Sequence, residues 1–109
     1  MIDLNEIRKV IKFISEYQLK SRLKLYSNHE PTNWNDWLTE PSKEYFDFGS
    51  EPVKFNEVEY VEINCLVNKK TGRLVPNQLL DKGNVIEEHL INNAILFSEL
   101  ENGIFRIKL

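Results

Sequence analysis

The hydrophobic positions at the start of the chain recur at helical spacing. Ile7, Val10, Ile11, Ile14 and Tyr17 stand three and four residues apart and share one face, with Leu4 beside them. Arg8, Lys9, Lys12 and Glu16 fall mostly on the opposite face. Asp3 is a good N-cap with Glu6 three residues later, the spacing of a capping box, and Ile2 and Ile7 hold the positions of a hydrophobic staple. The spacing predicts an amphipathic helix over residues 3–20. Leu19, Leu23 and Tyr26 then rotate onto another face. With no Gly or Pro before Pro31, the preferred reading continues the helix to about Tyr26; a short strand over 22–26 is the alternative.

Later the period changes to two. Val61, Ile63, Cys65 and Val67 alternate with Glu62, Asn64 and Leu66, as in a half-buried strand. Val58 and Tyr60 have the opposite parity, which predicts a bulge near Tyr60. Residues 68–72 read as a turn around Gly72, 73–75 as the start of a returning strand, and Pro76 as the mark of an edge. Residues 81–84 read as another turn, and 85–91 fit either a helical turn or a strand. Asn102-Gly103 favours a two-residue type I′ hairpin, which would set Leu100 opposite Phe105, Ser98 opposite Ile107 and Leu96 opposite Leu109. These elements predict one domain over 1–109 of the α+β class: an N-terminal amphipathic helix packed on an antiparallel sheet of about four strands.

Charge changes the picture in the middle of the chain. Residues 30–62 hold nine acids and two bases, net −7, within a chain whose formal net charge is −3. Seven aromatic residues fall in the same stretch: Trp34, Trp37, Tyr45, Phe46, Phe48, Phe55 and Tyr60. Pro31, Pro41 and Pro52 punctuate it and limit long regular elements, although Trp34, Trp37 and Leu38 have the spacing of a short capped helix. A long connection of this kind is expected along an edge or mouth of the fold, either as a solvated loop or as a surface that a partner reads.

Chemical motifs are sparse. Two histidines, His29 and His89, and one cysteine, Cys65, lack zinc-site spacing, so neither metal nor cofactor is expected. The four glycines are isolated, and no phosphate-cradling or nucleophile-elbow motif occurs. Cys65 reads as a buried apolar residue and fits a reducing cytoplasm. Glu57, Glu59 and Glu62 are close enough in sequence for acid–base work, but nothing yet places them around a pocket. Lys20, Arg22 and Lys24 could touch phosphate, yet three bases on a helix usually face solvent; the bases divide between helix and turns, and direct nucleic-acid binding is not expected. The charged first dozen residues and the lack of a long apolar run argue against a signal peptide or a membrane span.

A localised negative field with interleaved aromatics suits a protein that binds a basic protein surface, with acids steering the encounter and aromatics holding it. The capped helix from Asp3, the acidic run from Glu30 to Glu62 and the closing hairpin at Asn102-Gly103 together resemble, in layout, the small cytoplasmic immunity proteins of bacterial toxin systems, including contact-dependent growth inhibition. That resemblance implies a non-enzymatic protein that binds and neutralises one cognate basic toxin, often a nuclease. The contact residues expected on the charge reading are Asp36, Glu40, Glu44, Asp47, Glu51, Glu57 and Glu59, with Trp34 and Trp37 as anchors. Two other readings stay open: a phage or plasmid regulator that blocks a nucleic-acid-dependent defence enzyme by acidic mimicry, and a small enzyme using clustered carboxylates with His89.

Overall fold

The computed structural model describes residues 3–34, 45–48, 51–69 and 78–109. Helix α1, Leu4–Glu16, starts where expected: the Asp3 carboxylate accepts from the Glu6 amide at 2.8 Å. Ile7, Val10, Ile11, Phe13 and Ile14 are its buried residues. The helix ends well before Tyr26. Gln18 turns to φ 54°, Leu19 donates to the Ile14 carbonyl at 3.0 Å, and Gln18 donates to Ser15. This is a Schellman ending, sealed by the buried pair Leu19 and Ile14. Strand β1, Ser21–Leu25, follows. The drifting apolar face of residues 19–26 therefore marks a change of element, and the preferred continuation of the helix is corrected.

Strands β2, Tyr45–Phe48, and β3, Glu51–Lys54, form a separate two-stranded hairpin. Strand β4, Val58–Asn64, pairs antiparallel with β1. Their register shifts between Lys24 and Leu25, because Lys24 opposes Tyr60 whereas Leu25 opposes Val58. Glu59 is the extra residue, so the bulge expected near Tyr60 is present. The alternating run does not continue through Cys65: the Asn64 side chain accepts from the Leu66 amide at 3.0 Å and bends the chain there. Strand β5, Leu66–Lys69, instead pairs with β6, Gln78–Asp81. Asn68 and Lys69, read as the start of a turn, are instead paired strand residues opposite Leu79 and Gln78; the rest of that turn and the edge reading at Pro76 lie outside the described residues.

Residues 83–92 resolve as helix α2, Gly83–Asn92, where the sequence left a choice. Asp81 accepts from the Gly83 amide at 2.8 Å and leads the chain into it. Its end repeats the α1 design, with Ala94 at φ 56° and Ile95 donating to Leu90 at 2.9 Å. Strands β7, Ser98–Leu100, and β8, Ile104–Lys108, close the fold. The hairpin at Asn102-Gly103 exists, and both residues have positive φ, but its loop has three residues. Leu100 opposes Ile104 and Ser98 opposes Arg106, one residue away from the expected register. Cys65 is the reason. Its amide donates to the Gly103 carbonyl at 3.1 Å, and its Sγ lies where a Cβ on residue 103 would sit. The loop is clamped onto Cys65, and Leu96, expected to face Leu109, stands 88% exposed.

The main sheet has the order β1-β4-β8-β7 and is antiparallel throughout, so the α+β class with four strands holds. One face packs on the helices through Leu23, Val61, Ile63, Phe105 and Ile107, against Ile7, Ile11, Ile14, Ile86 and Leu90. Burying this set is the main stabilising term. The other face carries Arg22 and Lys24, Tyr60 and Glu62, Arg106 and Lys108 in register across three strands.

Candidate functional site

The connection from β1 to β4 leaves the sheet after Leu25 and returns at Val58, which is opposite Leu25 in the register. The connection that carries much of the acidic stretch therefore leaves and re-enters at the same end of the sheet. Tyr26 donates to the Glu57 carbonyl at 3.0 Å and ties the two ends of the insertion together. Tyr26 (62% exposed), Glu30 and Glu57 are exposed there. Exposed Tyr45 opposes Lys54, three residues before Glu57. Asp47 and Glu51 belong to the β2–β3 hairpin, opposite Pro52 and Phe48 respectively. Asp36, Trp37, Glu40 and Glu44 lie outside the described residues.

From this end the chain doubles back. Thr32 donates to the Leu23 carbonyl at 2.8 Å and accepts from the Leu23 amide at 3.1 Å through its hydroxyl. Residues 31–34 thus run along the open edge of β1 and bring Trp34 to the outer face of the sheet. There the Arg22 guanidinium lies 4.3 Å from the Trp34 ring centre, and the Arg106 guanidinium 4.2 Å from that of Tyr60. Between the two arginines stands Glu62, fully buried although it faces away from the helices. Arg22 Nε donates to Glu62 Oε1 at 2.8 Å. Arg106 donates to Oε2 from Nε at 3.3 Å and from Nη2 at 3.2 Å. A carboxylate without solvent is costly unless paired and hydrogen-bonded, and here both oxygens are engaged. In the next row Lys24 Nζ meets Glu59 Oε2 at 2.7 Å.

The acids of the central stretch therefore divide. Glu30 and Glu57 face solvent; Glu59 is neutralised by Lys24, and Glu62 is locked between arginines. Trp34, read as an anchor, is a half-buried plate on Arg22. The basic and aromatic cluster on the outer face was missed by sequence reasoning. Its components come from β1, β4 and β8, and only the paired register brings Arg22, Glu62 and Arg106 into one row. The available signal was the parity: Arg22 and Lys24, Tyr60 and Glu62, and Arg106 and Lys108 all alternate with residues of the core.

A concavity of about 470 Å³ lies between the helices and includes Lys9, Lys12, Glu16, Glu88 and His89 in its lining. His89 stacks on Phe13, with ring centres 4.0 Å apart and planes within 9°. Its Nε2 is buried without a hydrogen-bond partner. Burial holds the imidazole below its ordinary pKa, opposed by the nearby Glu16 carboxylate. Neither Glu57 nor Glu59 lines this concavity, so they do not converge with His89 there. Cys65 is 4% exposed, and burial together with the charge of Asp81 pushes its thiol pKa up, which disfavours the nucleophilic thiolate. Among the described residues no group of three His, Cys, Asp or Glu side chains is gathered to hold a metal ion, and no helix is long and apolar enough to cross a membrane.

The arrangement defines a small α+β domain with exposed Glu30 and Glu57 towards one end of the sheet and a basic, aromatic outer sheet face. Residues 4–108 match DUF6678, a family of unknown function, and the chain belongs to that family. No curated protein and no solved structure matches it.

Proposed function

We propose that this protein is a stoichiometric inhibitor acting in the cytoplasm, an immunity protein that binds and neutralises a cognate basic toxin, a nuclease by the chemistry of the surface it would cover. The observation that carries the reading is the placement of the acidic segment. The two ends of the connection are joined at one end of the sheet, where Tyr26 and Glu57 stand exposed, and Glu30 and Tyr45 within it are exposed as well. Concentrated carboxylates raise the association rate with a cationic partner, and exposed tyrosines supply contact area that desolvates on docking. Glu59 contributes less than its charge implies, because Lys24 already holds it.

The test uses a basic toxin domain encoded beside this chain, mixed with it and followed by gel filtration, toxin activity and surface-based kinetics. One variant reverses Glu30 and Glu57 to Lys; another reverses Glu40, Glu44 and Asp47 to Lys. Each is expected to slow association about tenfold or more at low salt. Unchanged affinity and association rate in both variants reject the acidic end as the contact surface.

A further inference from the structure

The outer face of the sheet gathers four bases that are far apart in the chain. Arg22 and Lys24 stand on β1, Arg106 and Lys108 on β8, with Tyr60 and Glu62 between them on β4. Adjacent strands are about 4.8 Å apart, so the two basic columns are separated by roughly 10 Å. Tyr60 lies in register between Lys24 and Lys108, and Trp34 is seated on Arg22. Two constraints fix each guanidinium: its bond to Glu62 and its stacking on a ring. The arginine side chains are nonetheless 24% and 31% exposed, and Lys108 is exposed.

We propose that this face is a binding site for single-stranded nucleic acid, separate from the acidic end and independent of the inhibitor reading. The charge is complementary: four bases face Glu59 and Glu62, which are already bonded within the cluster, and Glu6, which lines the same concavity as Arg106 and Lys108, leaves the bases in excess. The two columns are placed for successive phosphates, which a single phosphate group could not span. Trp34 and Tyr60 each have one ring face on a guanidinium. A base laid on the other face extends that stack, which is how unpaired bases are held on sheet surfaces. An acidic peptide would use the bases but not the rings. A duplex keeps its bases stacked on one another and cannot use the rings either. The small net positive charge of the patch makes the binding weak and confined to low salt.

The experiment measures fluorescence anisotropy of labelled twelve-residue oligothymidylate and oligouridylate at 50 mM salt, with a duplex of equal length and a labelled oligoglutamate as comparators. The single strands are expected to bind with quenching of tryptophan emission and a log–log salt slope between about −1 and −3. Lys108→Glu, at an exposed position where folding is not at risk, is expected to weaken binding about tenfold. Lys12→Glu makes the same charge change on the helix layer and is expected to alter it less than about twofold. Glu62→Gln, which removes a buried negative charge from the patch, is expected to tighten it. Absence of binding, equal effects of Lys108→Glu and Lys12→Glu, or stronger binding of duplex or oligoglutamate than of single strands each overturn the proposal.

Discussion

Glu62 and its two arginines form a test of how buried charge is held in this fold. The glutamate side chain has no exposure, whereas Arg22 and Arg106 retain 24% and 31%. Removing one side of the cluster is therefore not equivalent to removing the other. In Arg22→Met with Arg106→Met, the carboxylate loses all three donated bonds in a place that water does not reach, and the expected cost is about 4 kcal/mol. In Glu62→Gln, two guanidiniums lose a charge-assisted acceptor but can be hydrated through their exposed sides. The expected cost is about 2 kcal/mol. Replacing all three residues by apolar ones removes the stranded charge, so the triple variant should be more stable than the double arginine variant. Urea unfolding at neutral pH, followed by far-ultraviolet circular dichroism, measures all three with a common slope. Since a domain of this size has a total stability of about 5–15 kcal/mol, the ordering is readable. If the double arginine variant is no less stable than Glu62→Gln, the carboxylate is not the constrained partner and the reasoning fails.

Two further predictions rest on the helix ends and on His89. Gln18 and Ala94 occupy left-handed positions, φ 54° and 56°, where glycine carries no steric penalty. Gln18→Gly and Ala94→Gly are each expected to raise stability by up to about 1 kcal/mol, or a few degrees in melting temperature, and a loss in both would reject this account. His89 is held neutral by burial, with Lys9, Lys12, Glu16 and Glu88 also lining its concavity. Its folded pKa lies below the unfolded one of about 6.5, so its contribution is fully present above that pH and is lost as pH falls through the folded value. His89→Phe should flatten the fall in stability as the pH drops below about 6.5, measured by denaturant titration; an unchanged pH slope would show that the imidazole does not report its burial.

The elements with strong local signals were legible. The start of α1 was written in Asp3, Glu6 and the apolar spacing of residues 7–14, all decided within one turn of helix. The β4 bulge was visible as a parity change, because a bulge is an insertion in a period of two. The misread boundaries depend on distant contacts. The end of α1 lies at Gln18, a residue with no turn signal of its own, and is sealed by Leu19 on Ile14. The last hairpin has the favoured Asn-Gly pair, yet Cys65, some forty residues earlier, clamps Gly103 and adds Glu101 to the loop. Apolar matching alone prefers Leu96 against Leu109, and it lost to that clamp.

The same distinction separates the two surfaces. An acidic field is legible when its charges are neighbours in sequence, and the stretch from Glu30 to Glu62 is such a case. Adjacency does not decide which of those charges reach a partner. Bases supplied by other strands take Glu59 and Glu62 out of the field, because β4 is the central strand between β1 and β8 and its outward side chains meet bases on both sides. Glu30 and Glu57 escape because they precede β4 and have no flanking strand. Position relative to the sheet, more than charge density, therefore sets which acids act at long range, and the cluster around Glu62 is what a reading by composition leaves out. A partner that recognised this chain only by its summed negative charge would be insensitive to the exchange of Glu57 and Lys54 within the inserted end. A partner docked on that end would feel the exchange in both association and dissociation rates.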